Sequence, residues 1–171
     1  NNSSEFFVND IISNNITGTH LSRQGGVGTN TLFQVRGLPK RYTNVYIDGV
    51  KMSDPSTPDN SFYFNNLTSN GVQQIEVLKG NQSSLYGSGA IGGTINIYTK
   101  TSKSSEFNRN INVFSGENNT KNILISFDQQ IEEFDYFLGL NRYLTDGISA
   151  MTHNNEDDSY RNDNIILNVG Y

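Results

Sequence analysis

No cysteine occurs in the 171 residues, so neither a disulfide framework nor a Cys-ligated metal site can form. No stretch approaches the ~20 apolar residues that a membrane-spanning helix requires. That leaves membrane-spanning strands open, because these need only about 9–11 residues of alternating polarity. A basic excess is also missing: the net charge is -5 and the pI near 4.9. A chain that grips phosphate backbones without sequence preference needs the opposite balance, so nucleic acid is excluded as an expected partner. The start, Asn1-Asn2-Ser3-Ser4, has neither the basic region nor the apolar core of a signal peptide, and a mature or truncated start is expected. What is present is 34% hydrophobic residues among abundant Gly, Asn, Ser and Thr. That composition suits a β- and turn-rich chain, sized for one domain or a small domain with part of another.

The chain reads as two regions. The first, residues 1–103, opens with Phe7, Val8, Ile11 and Ile12 at helical spacing behind a Ser N-cap, which predicts a short helix. Gly25-Gly26-Val27-Gly28 is a loop. Leu32 to Gly37 and Asn44 to Val50 read as short strands ended by Gly, and Asp54 to Asp59, with two prolines, as a surface loop. Gln73 to Gly80 and Thr94 to Thr99 are further strands. The second region, residues 104–171, alternates with a period of two. Ile111 and Val113 oppose Asn110 and Asn112; Ile123, Ile125 and Phe127 oppose Ser126 and Asp128. Tyr136, Leu138 and Leu140 oppose Asp135, Gly139 and Asn141; Ile165, Leu167 and Val169 oppose Asn164 and Asn168. The connections run short (Gly116–Thr120), shorter (Ile131–Glu133), then long and polar (Leu144–Arg161), as in an outer-membrane barrel entered from the periplasm. A soluble antiparallel meander with one wet face would show the same alternation, and periodicity alone leaves both open. Four strands enclose nothing, so on the barrel reading the chain is expected to be a fragment.

Several motifs lose their chemistry in context. Gly87-Ser88-Gly89-Ala90-Ile91-Gly92 matches the dinucleotide fingerprint, but a β-branched strand follows where a helix N-terminus is required. His20 and His153 stand far apart without a metal-site neighbourhood and read as surface residues. No nucleophile elbow is present, and an enzyme is not expected. Glu156-Asp157-Asp158, with Asn154, Asn155 and Asp163 nearby, offers hard oxygens at a density that suits calcium. The spacing is not that of an EF-hand, and a merely solvated acidic loop has the same composition. The N-x-S/T sequons, such as Asn15-Ile16-Thr17, arise readily in an Asn-rich chain.

One ordered constellation goes further. Phe33-Gln34-Val35-Arg36-Gly37 is followed by Val45-Tyr46-Ile47-Asp48-Gly49-Val50 and Asp54-Pro55. Then come Val72-Gln73-Gln74-Ile75-Glu76-Val77-Leu78-Lys79-Gly80 and Ser84-Leu85-Tyr86-Gly87 through Ala90-Ile91-Gly92-Gly93-Thr94-Ile95-Asn96-Ile97. Over residues 5–100 this resembles the plug domain of TonB-dependent outer-membrane receptors, element for element. The resemblance implies an α+β plug with short mixed strands, followed by antiparallel transmembrane β-barrel strands incomplete in this chain. It implies a receptor in the bacterial outer membrane, in contact with lipid, that takes up a scarce small-molecule nutrient with the TonB complex as partner. The TonB-recognition segment that the family carries ahead of its first helix is not seen. Gln24 to Gly28 and the compact spacing are most similar to cobalamin receptors, with ferric-siderophore receptors sharing much of the pattern. On that resemblance Gly25, Gly26, Val27, Gly28, Thr29 and Asn30, with Met52, Ser53 and Asp54, face the ligand. Arg36, Glu76 and Lys79 anchor the plug, Arg36 and Glu76 pairing with each other or with barrel charges. Calcium at Glu156, Asp157 and Asp158 also fits a cobalamin receptor. The rival of another class is a surface β-rich binding module or adhesin, in which residues 105–171 would pack on their own.

Overall fold

The computed structural model describes residues 5–87, 89–149 and 158–171. The chain forms two compact units, one of residues 1–24 and 29–99, the other of residues 25–28 and 100–171. The division therefore falls after Thr99, slightly ahead of the boundary expected at residue 103.

In the first unit the N-terminal helix, α1 (Val8–Asn15), forms where expected, but its cap differs. Phe7 occupies the N-cap position with extended backbone and no side-chain cap. The reason lies in the preceding segment. Val8 N–H donates to the Leu67 carbonyl at 3.0 Å and Ser69 N–H to that of Phe6 at 2.9 Å. Residues 6 and 7 are thus held as an extended strip against residues 67–69, and the helix can begin only beyond it. Val8 and Ile12 then point one helical turn apart into the core.

Strands β1 (Thr19–Arg23), β2 (Thr31–Val35) and β3 (Leu38–Pro39) make a small antiparallel sheet. A 3-10 turn over Lys40–Tyr42 leads into the second sheet, built from β4 (Thr43–Ile47), β5 (Val50–Met52), β6 (Val72–Lys79) and β7 (Gly93–Thr99). Its order is β5-β4-β7-β6, with β4 and β7 parallel and the outer pairs antiparallel. A short helix, α2 (Ser83–Tyr86), lies between β6 and β7. The run Asn44–Val50, expected as one strand, is a hairpin: Asp48 and Gly49 turn the chain at φ 48° and 81°, so that Ile47 faces Val50. Arg36 and Gly37 do the same between β2 and β3, at φ 54° and 76°. Two consecutive left-handed residues give the turn whose twist matches that of paired strands, and Asp-Gly is among its preferred sequences.

The core of this unit joins Val8 and Ile12 to Phe33, Val35, Val45, Phe64, Ile95 and Ile97. β2 shows why: Thr31, Phe33 and Val35 are buried while Leu32 is exposed, the period of two that a one-sided sheet demands. Each large apolar side chain so buried contributes about 1.5–3 kcal/mol.

The second unit is a meander of β8 (Asn108–Ser115), β9 (Lys121–Ile131), β10 (Phe134–Thr145) and β11 (Tyr160–Gly170), each antiparallel to the next. β9 and β10 join through Glu132-Glu133 alone, and β10 runs two residues beyond the expected end at Tyr143. The register puts Val113, Ile123, Arg142 and Asp163 in one row across the sheet, and Ile111, Ile125, Leu140 and Ile165 in the next. This apolar face is the exposed one: Ile111 68%, Val113 70%, Ile165 75% and Leu167 68%. The opposite face carries Asn122, Ser126, Asn141 and Thr145, all buried, with Asn141 donating to the Asn122 side chain at 2.7 Å.

Candidate functional site

The first unit holds a cavity of about 560 Å³ between the 3-10 turn, the β4–β5 hairpin and the loop after β5. Lys40, Arg41 and Lys51 bring three cations to it, and Met52, Ser53 and Phe62 complete its wall. The Lys40 ammonium sits 3.2 Å from the centre of the Tyr63 ring, which orients that side chain by a cation–π contact. Thr43 is buried in the wall, and among the described residues its hydroxyl has no hydrogen-bond partner. An orphan buried hydroxyl is costly unless something else meets it.

The loop bordering this cavity is well tied. Ser56 donates to the Asp54 carboxylate through its backbone N–H at 2.9 Å and its hydroxyl at 2.6 Å, and Thr57 donates to the Asp54 carbonyl. The Ser56 hydroxyl, then its N–H, holds the Asp54 carboxyl below the usual carboxylate range. Asp59 accepts from the Ser61 N–H at 3.2 Å.

Of the residues expected to face a ligand, Met52 and Ser53 line this cavity, with Asp54 next in the chain. Thr29 and Asn30 belong to the first unit, where Gln24 N–H donates to the Asn30 carbonyl at 3.1 Å and closes the intervening loop. Gly25, Gly26, Val27 and Gly28 group with the second unit. Lys40, Arg41, Thr43 and Lys51 went unread in sequence; the run Lys40-Arg41 was the available signal.

Arg36 and Glu76 are not paired with each other, which was one of the two arrangements expected for them. Arg36 sits at the tip of a hairpin, its N–H donating to the Gly18 carbonyl at 2.7 Å. Glu76 stands mid-strand in β6 and accepts from Gln74 at 2.8 Å and the Tyr98 hydroxyl at 3.3 Å. Lys79 donates to the Thr17 hydroxyl at 3.3 Å. Among the described residues the ion pair of this unit is Arg23–Asp10, in which Arg23 Nη2 donates to both carboxylate oxygens, at 2.5 and 2.7 Å.

The dinucleotide reading stays rejected, since β7 and no helix follows Gly92. His20 is exposed on β1, while His153, Glu156 and Asp157 lie outside the described residues. Asp158 is described. Among the described residues no group of three metal-ligating side chains occurs.

Comparison with known proteins matches residues 7–94 to the TonB-dependent receptor plug domain. The vitamin B12 transporter BtuB of Photobacterium profundum is 30% identical over 149 residues, covering 85% of this chain and 24% of that protein. BtuB of Vibrio vulnificus (strain CMCP6) is 33% identical over 91 residues, 53% of this chain and 14% of that protein. The chain thus spans a quarter or less of these relatives. Among solved structures, the ferric yersiniabactin uptake receptor FyuA from Yersinia pestis aligns with a TM-score of 0.70 at 22% identity, over 94% of this chain and 25% of that one. The FrpB iron transporter from Neisseria meningitidis (F5-1 variant) gives 0.76 at 13% identity, over 98% and 27%. At such identities the structural likeness speaks for the fold.

Proposed function

Since the chain belongs to the TonB-dependent receptor family by its plug domain, we propose that it serves uptake of a scarce nutrient, with cobalamin as the cargo. It is a protein of the bacterial outer membrane, in a family of transporters rather than enzymes. The observation that carries the transport reading is the second unit's exposed apolar face, joined in one chain to a plug. A soluble module would turn that face inward; a strand bordering lipid turns it outward. In this reading the plug occupies the barrel lumen until the TonB complex pulls on the receptor. The plug then rearranges, and the cargo passes to the periplasm with no bond made or broken.

Support for cobalamin comes from the names of the curated relatives and from the cavity. Lys40, Arg41 and Lys51 are donors, and a corrinoid offers amide carbonyls and a phosphodiester to meet them. Calcium bound by Glu156, Asp157 and Asp158 belongs to the same proposal. Ferric siderophores, also rich in oxygen acceptors, are the second reading, supported by the iron-receptor folds.

Calorimetry on the intact receptor in detergent, with cyanocobalamin and a panel of ferric siderophores, separates the two. Tight cobalamin binding that weakens with a chelator supports cargo and calcium together. Siderophore binding alone overturns cobalamin and keeps the family. Lys51→Glu is expected to weaken the bound cargo about tenfold or more, by removing a charge-assisted donor.

A further inference from the structure

The polar run Thr101-Ser102-Lys103-Ser104-Ser105, between β7 and β8, has the composition of a flexible spacer. In the second unit the segment from Lys100 to Ser105 is instead laid across the buried polar face of the sheet. Asp128, Phe137 and Asn168 stand level with one another on β9, β10 and β11, and the segment meets each of them. Asn168 Nδ2 donates to the Lys100 carbonyl at 3.2 Å. The Lys100 ammonium lies 5.6 Å from the centre of the buried Phe137 ring, within reach of a cation–π contact. Ser102, itself 4% exposed, donates its hydroxyl to Asp128 at 2.8 Å. Farther along, the Gln130 N–H donates to the Ser104 carbonyl at 2.7 Å, and the Gln129 side chain to the Ser105 carbonyl at 3.1 Å.

Asp128 is the centre of this seat. The oxygen that accepts from Ser102 also accepts from the Asn108 side chain at 3.1 Å, at the start of β8, and hydrogen bonds to a charged acceptor are among the stronger ones. Burial pushes the Lys100 ammonium below the usual lysine range, and the Asp128 carboxylate pulls it back up. On the other side of the junction, Thr99 is held by Asp48 of the first unit through its N–H and its hydroxyl. Adjacent residues are thus fixed to different units. The freedom of the connection is confined to the torsions between Thr99 and Lys100.

Resting on the outer-membrane transport reading above, we propose that the segment from Lys100 to Ser105 is a fixed strap of the barrel wall. It keeps its seat on β9, β10 and β11 when the plug rearranges, so the moving part of the chain ends at Thr99. A spacer free to lift would let a pulled plug draw further chain from the wall. The strap instead passes the load to three strands at once, with Asp128 holding it in place.

The test is single-molecule pulling on the N-terminus of the intact receptor in a lipid bilayer, which needs no cargo. Extension of the plug is expected to stop at Thr99. Residues 100–107 should come away only in a separate, later event that adds about 27 Å of chain. Ser102→Ala is expected to raise the rate of that event at fixed load about tenfold, by removing a donor to a charged acceptor, and Asp128→Ala to raise it further. Asp48→Ala, which loosens Thr99 on the plug side, should leave the event unchanged. Release of the segment together with β7, or an event indifferent to Ser102→Ala, overturns the proposal, and Ser102→Ala suffices should Asp128→Ala not insert. A receptor that stays dispersed without detergent overturns the outer-membrane reading, and the strap's role with it, before any chain is pulled.

Discussion

At Asp48 one side chain serves two purposes. Its left-handed backbone turns the β4–β5 hairpin, while its carboxylate accepts from the Thr99 N–H at 2.9 Å and the Thr99 hydroxyl at 2.6 Å. Asp48→Ala loses both acceptors and puts alanine at positive φ. It is expected to cost about 1–3 kcal/mol, read by urea unfolding, with Asp48→Asn between it and the wild type. Gly93 is constrained differently: at φ 153°, a Cβ would lie 2.5 Å from the Leu78 carbonyl oxygen. Because that neighbour is backbone paired in the sheet, Gly93→Ala should cost about 2 kcal/mol or more in the same measurement. Asp54 supplies a pH dependence. Its folded pKa is depressed, chiefly by the Ser56 hydroxyl. Its contribution is therefore present above the ordinary carboxylate value of 3.8 and is lost as pH falls through the lower folded value. Ser56→Ala should return the Asp54 titration toward 3.8, followed by NMR of its carboxyl carbon.

Among elements, the alternation of β8–β11 was legible because lipid and lumen impose opposite chemistry on successive residues, and no long-range information is needed to see it. Leu167 and Asn112 make this testable, lying on opposite faces of their sheet. Leu167→Arg is expected to destabilise the membrane-inserted receptor by about 2–4 kcal/mol, in denaturant titration from vesicles, whereas Asn112→Lys should change little. The first unit was legible through its long motifs, yet its turns were misassigned. Asp48-Gly49 sits inside an apolar run that reads as continuous, and only the pairing of Ile47 with Val50 exposes the reversal. β1 went unread because Thr19–Arg23 has one large apolar residue, Leu21, and takes its structure from pairing with β2. The Lys40, Arg41 and Lys51 cavity was hidden for a related reason: its cations come from separate elements that meet only after the hairpin folds back.

For the molecule as a whole, the parallel pairing of β4 with β7 has a consequence in time. Among the described residues every other strand pairing joins strands consecutive in the chain, but β4 waits for a partner roughly fifty residues away, with Thr43 opposite Gly93 and Ile47 opposite Ile97. The hairpins at Arg36-Gly37 and Asp48-Gly49 can close as soon as they are synthesised, at the cost of a very short loop, while the β4–β7 ladder must bear the entropy of a much longer one. The central pair of the sheet is thus the last to zip. Until β7 pairs, Val45 and Ile47 remain without the Ile95 and Ile97 that lie beside them, and that part of the chain keeps its apolar side chains in water longest.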